Sequence, residues 1–287
     1  MRDVTGKTAF ITGGASGMGL AMARSFAAAG MKVVIADIEQ AALDAVTREF
    51  EASNAQFLTV ALDVTDREGF VSAADAAQER FGNVHVVCNN AGVALSGAID
   101  KMTYKDWDWL TSVNYDGVVN GIVTFVDRIK AHGEGGHFVN TASMAGHVAL
   151  PGMSVYTATK YAVVGISETM RADLLAHDIG VSVLCPGIVN TNIFDASRNR
   201  PEEFAGDDAA EALLSDVPPE QRAARLDELR ASALDPAIVG DMVLHAIRED
   251  EFYIFTHPEI EAMTDARKAE MVDAFEYWRE YRAERDL

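Results

Sequence analysis

The stretch TGGASGMG, residues Thr12 to Gly19, follows the short apolar run KTAFI and opens onto the alanine-rich stretch LAMARSFAAAG. Its glycines Gly13, Gly17 and Gly19 lie where a strand is expected to give way to a helix. Glycine there permits positive φ and close backbone approach, and the N-terminus of the following helix attracts a phosphate. The stretch therefore predicts a pyrophosphate-binding turn, with a merely structural strand-to-helix turn as the alternative.

Short apolar runs rich in β-branched residues alternate with helical stretches through the first part of the chain. Near-continuous apolar runs are typical of parallel strands covered on both faces. The alternation implies right-handed crossovers, so we expect an α/β fold with a Rossmann-type, doubly wound parallel sheet of about seven strands. The predicted strands are Thr8–Thr12, Lys32–Asp37, Phe57–Asp63, Val84–Asn89, Gly136–Thr141, Val181–Cys185 and Phe252–Thr256. The predicted helices are Met18–Ala29, Gln40–Ala52, Arg67–Phe81, Tyr104–Lys130 (continuous or interrupted), Val155–His177 and Ala237–Glu249.

The rest of the chain predicts a lid and a tail on a single domain of residues 1–287. Ile188 to Asp235 contains no convincing strand, and a connection of this length in a compact domain is typical of a substrate lid, here about residues 192–235. From about residue 258 to residue 287, apolar residues recur at helical spacing among many charges. This predicts an amphipathic C-terminal helix that packs on the domain or on another subunit.

Composition and charge narrow the classes of partner. The net charge of −20 repels nucleic acid and anionic membrane surfaces, and the acidity is either a solvated surface or a face for a cationic partner. No apolar run is long enough to span a bilayer, and the residues before the first strand are too few for a signal peptide. Cys88 and Cys185 end buried-strand patterns, so no disulfide framework is expected. These features predict a cytoplasmic protein.

Asp37 ends the second predicted strand. A carboxylate at that place accepts hydrogen bonds from both hydroxyls of an adenosine ribose and repels a 2′-phosphate. Neither the residues after it, IEQ, nor the loop GAS offers a basic side chain to that phosphate. We therefore predict NAD rather than NADP as cofactor. The alternative is that Asp37 only caps the following helix.

The spacing T-G-x3-G-x-G and three later motifs resemble the short-chain dehydrogenase/reductase family. The motifs are DV at Asp63–Val64, NNAG at Asn89–Gly92 and PGIVNT at Pro186–Thr191. The resemblance implies that they contact the adenine, line the cofactor and hold the nicotinamide, with Thr191 near the carboxamide. The cofactor contacts that it implies are Gly13, Ser16, Gly17, Met18, Gly19, Asp37, Ile38, Asp63, Val64, Asn90, Ala91, Gly92, Pro186, Gly187, Val189 and Thr191.

Tyr156 and Lys160 in YTATK stand four residues apart on a predicted helix and therefore share a face. A helical Tyr-x3-Lys alone is more often a pair of exposed side chains without a catalytic role. Here Ser143, in NTASMAG at the end of the fifth predicted strand, precedes this pair, and Asn114 in SVNYDG lies on the preceding helix. By resemblance to the family, these four residues form the catalytic site, and Tyr156 and Lys160 also contact the cofactor.

These residue types suit the oxidation of a secondary alcohol. The hydroxyl proton must leave as hydride leaves the carbon, and a free tyrosine, with a pKa of about 10, is a poor base near neutrality. We expect Lys160 and the oxidised nicotinamide to lower the pKa of Tyr156 by ~3 units, which is about 4 kcal/mol of differential stabilisation. Ser143 would donate a hydrogen bond to the substrate oxygen, and Lys160 would hold ribose hydroxyls. The resemblance implies that Asn114 anchors a water that carries protons to solvent.

Other chemistries lack their sequence signatures. Ser143, His147 and an aspartate could be mistaken for a hydrolase triad, but no G-x-S-x-G elbow surrounds Ser143. The histidines show no H-E-x-x-H or paired ligand spacing, and two separated cysteines make no zinc site, so we predict no catalytic metal. A non-catalytic NAD-binding sensor or scaffold remains the alternative to an enzyme, although such a protein needs neither Ser143 nor an activated phenol.

The family pattern surrounds the open side of the nicotinamide with Val93, Ala94, Leu95, Met144, Ala145, His147, Val148, Met153, Ile188 and Val189. These residues are mostly apolar, which predicts a bulky hydrophobic alcohol or ketone as substrate. His147 either hydrogen-bonds a substrate oxygen or lies solvated on its loop. The lid and tail also resemble those of bacterial dehydrogenases that act on benzylic secondary alcohols of lignin-derived aryl ethers, while steroid, terpenoid and acyl substrates stay open. The resemblance further implies a homodimer or homotetramer.

Overall fold

The computed structural model describes residues 1–205 and 218–287 of the chain. They divide into two compact units, Met1–Thr256 and His257–Leu287. The first unit contains the sheet and every residue predicted to bind cofactor or substrate. The second contains the predicted C-terminal helix.

Seven strands of the described chain form one sheet in the first unit. They are β1 Thr8–Thr12, β2 Lys32–Asp37, β3 Phe57–Ala61, β4 Val86–Asn89, β5 Gly136–Thr141, β6 Ile179–Cys185 and β7 Tyr253–Phe255. All neighbours pair in parallel, in the order β3-β2-β1-β4-β5-β6-β7. The predicted doubly wound sheet is therefore confirmed. The order reverses between β1 and β4, and the carboxyl ends of the strands leave a ligand crevice at such a point.

Helices cover both faces of this sheet. They are α1 Gly17–Ala28, α2 Gln40–Glu51, α3 Arg67–Phe81, α4 Tyr104–Thr111, α5 Gly117–His132, α6 Ser154–Leu174, α7 Pro219–Ser232, α8 Pro236–Glu249 and α9 Glu261–Ala283. On one face, α1 and α8 pack together and bury Met22, Phe26 and Val243. On the other, Phe10 of β1 packs against Phe125 of α5, with ring centroids 4.8 Å apart. Burial from both sides explains why the central strands β1, β2 and β4 are mostly apolar.

A π-helical segment, Ser112–Asp116, separates α4 from α5 and interrupts the helix predicted over Tyr104–Lys130. Asn114 lies on this segment, and its side chain bonds the backbone of Val93 in the loop after β4. π-Helical turns inside helices occur frequently at functional sites. The interruption therefore places one of the predicted catalytic residues against the carboxyl end of the sheet.

The segment after β6 is helical where it is described. Short 3₁₀ helices at Asn192–Asn199 and Glu202–Phe204 precede α7. Residues 206–217 of the predicted lid lie outside the described residues. The helix predicted for the tail is present as α9 in the second unit. Among the described helices, none combines the length and the apolar character needed to cross a membrane.

Candidate active site

The glycine turn after β1 is shaped by contacts that exclude side chains. Gly13 and Gly17 adopt positive φ values of 60° and 51°. A Cβ atom on Gly13 would come within 2.9 Å of the Ala91 Cα atom, and one on Gly19 would collide with the Gly13 carbonyl oxygen. Glycine is therefore required at these positions, and the turn presents the N-terminus of α1 to the crevice.

An open cleft lies beside this turn. Its lining includes predicted cofactor residues, namely Gly13, Ser16, Gly17, Met18, Asp37, Ile38, Asp63, Val64, Asn90, Ala91, Gly92 and Thr191. It also includes residues that were not predicted to contact the cofactor, namely Glu39, Leu62, Val93, Trp109, Val113, Asn192, Ile193, Ala196, Arg198 and Asn199. The predicted contacts Gly19, Tyr156, Lys160, Pro186, Gly187 and Val189 do not line it. Gly19 instead packs under the turn, and the Pro186 carbonyl accepts a hydrogen bond from the backbone of Met144.

Asp37 lines the cleft from the end of β2. Its carboxylate accepts hydrogen bonds from the backbone N–H groups of Ala15, at 3.0 Å, and Glu39, at 3.1 Å. Burial raises the pKa of Asp37, and these hydrogen bonds lower it in part. The alternative role as a helix cap does not fit, because the N-cap of α2 is Glu39. The carboxylate is instead tied to the glycine turn, at the edge of the cleft.

Ser143, Tyr156 and Lys160 meet between the end of β5 and the first turns of α6. The Ser143 hydroxyl lies beside the Tyr156 phenol, and the Lys160 Nζ atom lies 5.5 Å from the centroid of the Tyr156 ring. Lys160 also donates a hydrogen bond to the Thr141 carbonyl oxygen at 2.9 Å. Three of the side chains predicted to be catalytic thus form one contiguous group.

Burial moves both titratable groups of this cluster toward their neutral forms. It raises the pKa of the Tyr156 phenol, and the neighbouring Ser143 hydroxyl offsets that rise only in part. It lowers the pKa of Lys160 to about 8, so this side chain keeps most of its charge at neutral pH. The protein's own groups therefore do not produce the lowered tyrosine pKa expected from the sequence, because desolvation of the phenolate outweighs them.

Asn114 fixes the loop that leads from β4 into the site. Its Oδ1 atom accepts a hydrogen bond from the Val93 N–H at 2.8 Å, and its Nδ2 atom donates one to the Val93 carbonyl oxygen at 2.9 Å. A longer bond reaches the Thr159 hydroxyl at 3.4 Å. The amide is fully buried and engaged with protein groups. The water-holding role that the family implies for Asn114 stays a prediction.

An apolar wall packs against Tyr156. Tyr156 packs against a buried cluster of six residues, namely Val93, Leu95, Trp109, Leu110, Val155 and Ala196. Four further side chains pack against the same cluster, namely Met102, Trp107, Val113 and Phe204. Val93, Trp109 and Ala196 also line the cleft, so this wall connects the phenol to the cofactor cleft. The sequence predicts Leu95 but not the aromatic residues of α4 and the lid, because only the folded chain brings these elements to the tyrosine.

His147, which was expected either to hydrogen-bond a substrate oxygen or to lie solvated on its loop, packs against the edge strand β7. Its ring packs edge-on against Phe255 and Tyr253 of the edge strand β7, with centroids 5.3 and 5.8 Å apart. Its Nε2 atom lies 3.2 Å from the Cys185 Sγ atom. The ring is thus neither loosely solvated nor part of the cleft lining, because the aromatic edge strand holds it. The cleft is also not lined by Ala94, Leu95, Met144, Ala145, Val148, Met153 or Ile188.

Two arginines of the predicted lid hold it against the rest of the unit. Arg198 pairs with Glu39 at 2.5 Å, and Arg200 pairs with Asp106 at 2.7 Å. The Arg200 guanidinium also lies 5.3 Å from the centroid of the Trp109 ring, in the apolar wall. Neither pair has a signal in the sequence, because the partners lie on elements that are distant in the chain.

A group with metal-ligand chemistry lies outside the cleft and consists of His85, His132 and Glu134. The Nδ1 atoms of His85 and His132 accept hydrogen bonds from the backbone N–H groups of Thr8 and Glu134. Their Nε2 atoms contact the Glu134 carboxylate at 2.9 Å and the Val84 carbonyl oxygen at 3.0 Å. Every ring nitrogen therefore has a partner, which favours a hydrogen-bonded network over a metal site.

Comparison with known proteins gives consistent matches over most of the chain. Residues 7–202 match the short chain dehydrogenase family. A C alpha-dehydrogenase of Sphingobium sp. (strain NBRC 103272 / SYK-6) is 36% identical over 261 residues, which cover 91% of this chain and 83% of that protein. A 1-deoxy-11-beta-hydroxypentalenate dehydrogenase of Streptomyces exfoliatus is 33% identical over 255 residues, covering 88% of this chain and 84% of that protein.

A solved structure gives the same match in three dimensions. The crystal structure of a short chain dehydrogenase/reductase from Burkholderia phymatum, in complex with NAD, superposes with a TM-score of 0.87 at 38% identity. The match covers 94% of this chain and 96% of that one. The family match includes the glycine turn and the group of Ser143, Tyr156 and Lys160. The family predicted from the motifs is thus confirmed, and the chain belongs to the short-chain dehydrogenase family of oxidoreductases.

Proposed function

We propose that this dehydrogenase oxidises a bulky, hydrophobic secondary alcohol to its ketone, with NAD as cofactor and Tyr156 as the group that accepts the hydroxyl proton. One observation carries the proposal. The Tyr156 phenol lies beside Ser143 and close to Lys160, and it packs against an apolar wall that continues into the cofactor cleft. A carbinol carbon held against that wall would have its hydroxyl at the phenol.

The cofactor is NAD, and the cleft fits it. The glycine turn leaves no room for a Cβ atom at Gly13 or Gly19, which suits close approach of a pyrophosphate. Asp37 lies at the end of β2 with its carboxylate held by two backbone N–H groups, where it suits the ribose hydroxyls of adenosine. The Burkholderia relative, which is similar over nearly its whole length, was crystallised with NAD. When bound, NAD supplies the acceptor for the hydride.

Tyr156 is the acid and base of the proposed reaction. Because burial raises its pKa, the phenol is neutral in the protein alone and is ready to donate a proton to a ketone. Oxidation of an alcohol requires the phenolate, and the nearby Lys160 ammonium favours that form electrostatically. The pKa of Lys160, about 8, means that this charge weakens as the pH rises above 8. Tyr156 and Lys160 therefore have to act as a pair.

Ser143 is the proposed donor to the substrate oxygen. Its hydroxyl now donates to the Pro186 carbonyl oxygen at 3.4 Å, which is long for an O–H···O bond, and accepts from the Ala145 N–H at 3.1 Å. The donated bond is weak enough to be exchanged for one to a substrate oxygen. The accepted bond keeps the hydroxyl oriented during that exchange.

The proposed substrate carries a bulky apolar or aryl group beside the carbinol. Trp107, Trp109 and Phe204 give the apolar wall an aromatic character. The Arg200 guanidinium that lies over Trp109 is paired with Asp106. The names of two relatives, a C alpha-dehydrogenase and a 1-deoxy-11-beta-hydroxypentalenate dehydrogenase, support alcohol oxidation. We favour aryl and benzylic carbinols over aliphatic polycyclic ones because of the aromatic wall.

We further propose a cytoplasmic homodimer or homotetramer built on one catalytic domain. The described parts of α4 and α5 expose large apolar side chains, with Tyr104 89% and Val123 69% exposed, which supports burial against another subunit. Cys88 and Cys185 are buried free thiols, which suits a reducing compartment. Light scattering of the purified protein tests the proposed assembly, and a monomer would contradict it.

The function is tested by following NADH formation with a panel of secondary alcohols. The panel runs from short alkanols to aryl and aryl-ether carbinols, terpenols and steroids, each with NAD and with NADP. We expect NAD-dependent turnover that is fastest for one aryl class. Equal rates with short alkanols, or a preference for NADP, would contradict the proposal.

A further inference from the structure

The segment Asn192–Asn199, which we call the lid segment, lines the cofactor cleft from the glycine turn to the loop after β2. It starts next to Thr191, whose Cγ2 atom would lie 3.0 Å from a Cβ atom on Gly17 of the glycine turn. Asn192, Ile193, Ala196, Arg198 and Asn199 then line the cleft. Its last two residues reach Glu39, two positions beyond Asp37. A dinucleotide in the cleft would therefore meet this segment between its pyrophosphate and its adenosine.

Glu39 receives three hydrogen bonds from the end of the lid segment. Arg198 donates through Nη2 at 2.5 Å and through Nε at 3.5 Å, and Asn199 donates through Nδ2 at 2.9 Å. The Arg198 Nη1 atom meanwhile donates to the carbonyl oxygens of Asn192 and Asp195 in the lid segment itself. The guanidinium is thus anchored to the lid segment, and Glu39 is its contact with the body of the fold.

A second ion pair holds the chain just after the lid segment, and it is far more buried. The side chains of Arg200 and Asp106 are 8% and 0% exposed, whereas those of Arg198 and Glu39 are 28% and 31% exposed. Separating a buried pair leaves uncompensated charges and costs more than separating a partly exposed one. The Glu39 contact is therefore the one that opens more readily.

We propose that Glu39, Arg198 and Asn199 form a latch that holds the lid segment over the adenosine end of the cleft and slows the release of the bound dinucleotide. The proposal rests on the proposed function in taking NAD as the ligand. The hydrogen bond from Arg198 holds the pKa of Glu39 below its usual range, so both partners are charged at neutral pH. Arg198 also offsets the charge of Glu39, which otherwise acts on the neighbouring Asp37.

The first test measures the rate of NADH dissociation by stopped-flow fluorescence in the wild type, Glu39→Gln, Arg198→Met and the double variant. Each single variant loses charge-assisted bonds, so we expect dissociation about three to thirty times faster than in the wild type. The double variant should match the faster single variant, because both changes break the same contact. Added salt should accelerate release from the wild type more than from the variants.

Glu49→Gln provides the matched control. Glu49 lies on α2 and pairs with Arg24 through two bonds of 2.6 and 2.7 Å, but neither residue lines the cleft. We expect its NADH dissociation rate to equal that of the wild type. The latch is overturned if Glu39→Gln stays within twofold of the wild type, if Glu49→Gln accelerates release as much, or if the effects of the single variants multiply in the double variant.

A second test needs no dinucleotide. Hydrogen–deuterium exchange of the free protein should become faster in Asn192–Asn199 on replacing Glu39 with Gln, and should stay unchanged there in Glu49→Gln. Unchanged exchange in Glu39→Gln would refute the latch. Failure of the wild type to bind NADH, with faster exchange in Glu39→Gln, would contradict the proposed cofactor and leave the lid contact supported.

Discussion

Lowering the pH from 7 to 5 is expected to destabilise the protein through one buried side chain, His137 of β5. The ring is fully buried, and its Nε2 atom lies 2.7 Å from the Ser182 hydroxyl. Ser182 donates its own proton to the Glu251 carbonyl oxygen at 2.6 Å, so it accepts from His137 and fixes the proton of the neutral ring on Nε2. Burial, with a smaller contribution from the N-terminal ammonium, lowers the pKa of His137 from 6.5 to about 3.

The sign and size of the effect follow from proton linkage. The unfolded chain binds a proton at His137 below pH 6.5 and the folded chain does not, so this contribution to stability is complete above pH 6.5 and is lost as the pH falls toward 3. Each pH unit costs about 1.4 kcal/mol, so the loss from pH 6.5 to pH 5 is about 2 kcal/mol. Carboxylates with lowered pKa values, such as Glu134, lose their contribution mainly at lower pH.

Urea unfolding at pH 7 and at pH 5 measures this loss. The free energy of unfolding of the wild type should fall by about 2 kcal/mol more than that of His137→Gln, whose side chain does not titrate. His177→Gln, at an exposed position on the surface, should behave as the wild type. If the free energy of unfolding depended equally on pH in the wild type and in His137→Gln, protonation of His137 would not be the cause of the loss.

Three further substitutions test the cleft and its wall. Asp37→Ala should reduce the preference for NAD over NADP about tenfold or more, because charge-assisted bonds to the ribose are lost. Calorimetry measures the dissociation constants of both cofactors, and an unchanged ratio of the two constants would contradict this role of Asp37. Gly19→Ala should sharply weaken NADH binding, because the alanine Cβ atom would collide with the Gly13 carbonyl oxygen in the glycine turn. A fluorescence titration that gave the wild-type affinity would contradict this prediction. Trp109→Ala should lower the free energy of unfolding by about 3–5 kcal/mol. It should also raise the KM for aryl carbinols more than Trp109→Phe does, and equal KM values of the two variants would show that Trp109 does not contact the substrate.

The sheet and the glycine turn could be predicted because their causes are local. The four residues inside Lys32–Asp37, VVIA, are all apolar and buried, and three of them are β-branched, as a strand covered on both faces requires. The glycines recur at positions where positive φ or close packing excludes a side chain. Such requirements appear directly in the sequence.

The other features depend on contacts between distant parts of the chain. The break between α4 and α5 coincides with the bonds of Asn114 to Val93, which lies in the loop after β4. The Glu39 to Arg198 contact joins residues 159 positions apart, and nothing in either local sequence indicates the partner. His147 resembles a solvated loop residue until β7 brings Phe255 against its ring. Tertiary packing decides these features, so local patterns could not predict them.

We propose that Tyr156 accepts the hydroxyl proton in an NAD-dependent alcohol oxidation. The most direct measurement compares turnover of the best aryl carbinol with NADH affinity in the wild type and in Tyr156→Phe, which removes only the hydroxyl. We expect turnover to fall at least about a hundredfold, while the Kd for NADH stays within about threefold of the wild type. A Tyr156→Phe variant that kept most of its turnover would contradict the proposed role of Tyr156 as acid and base.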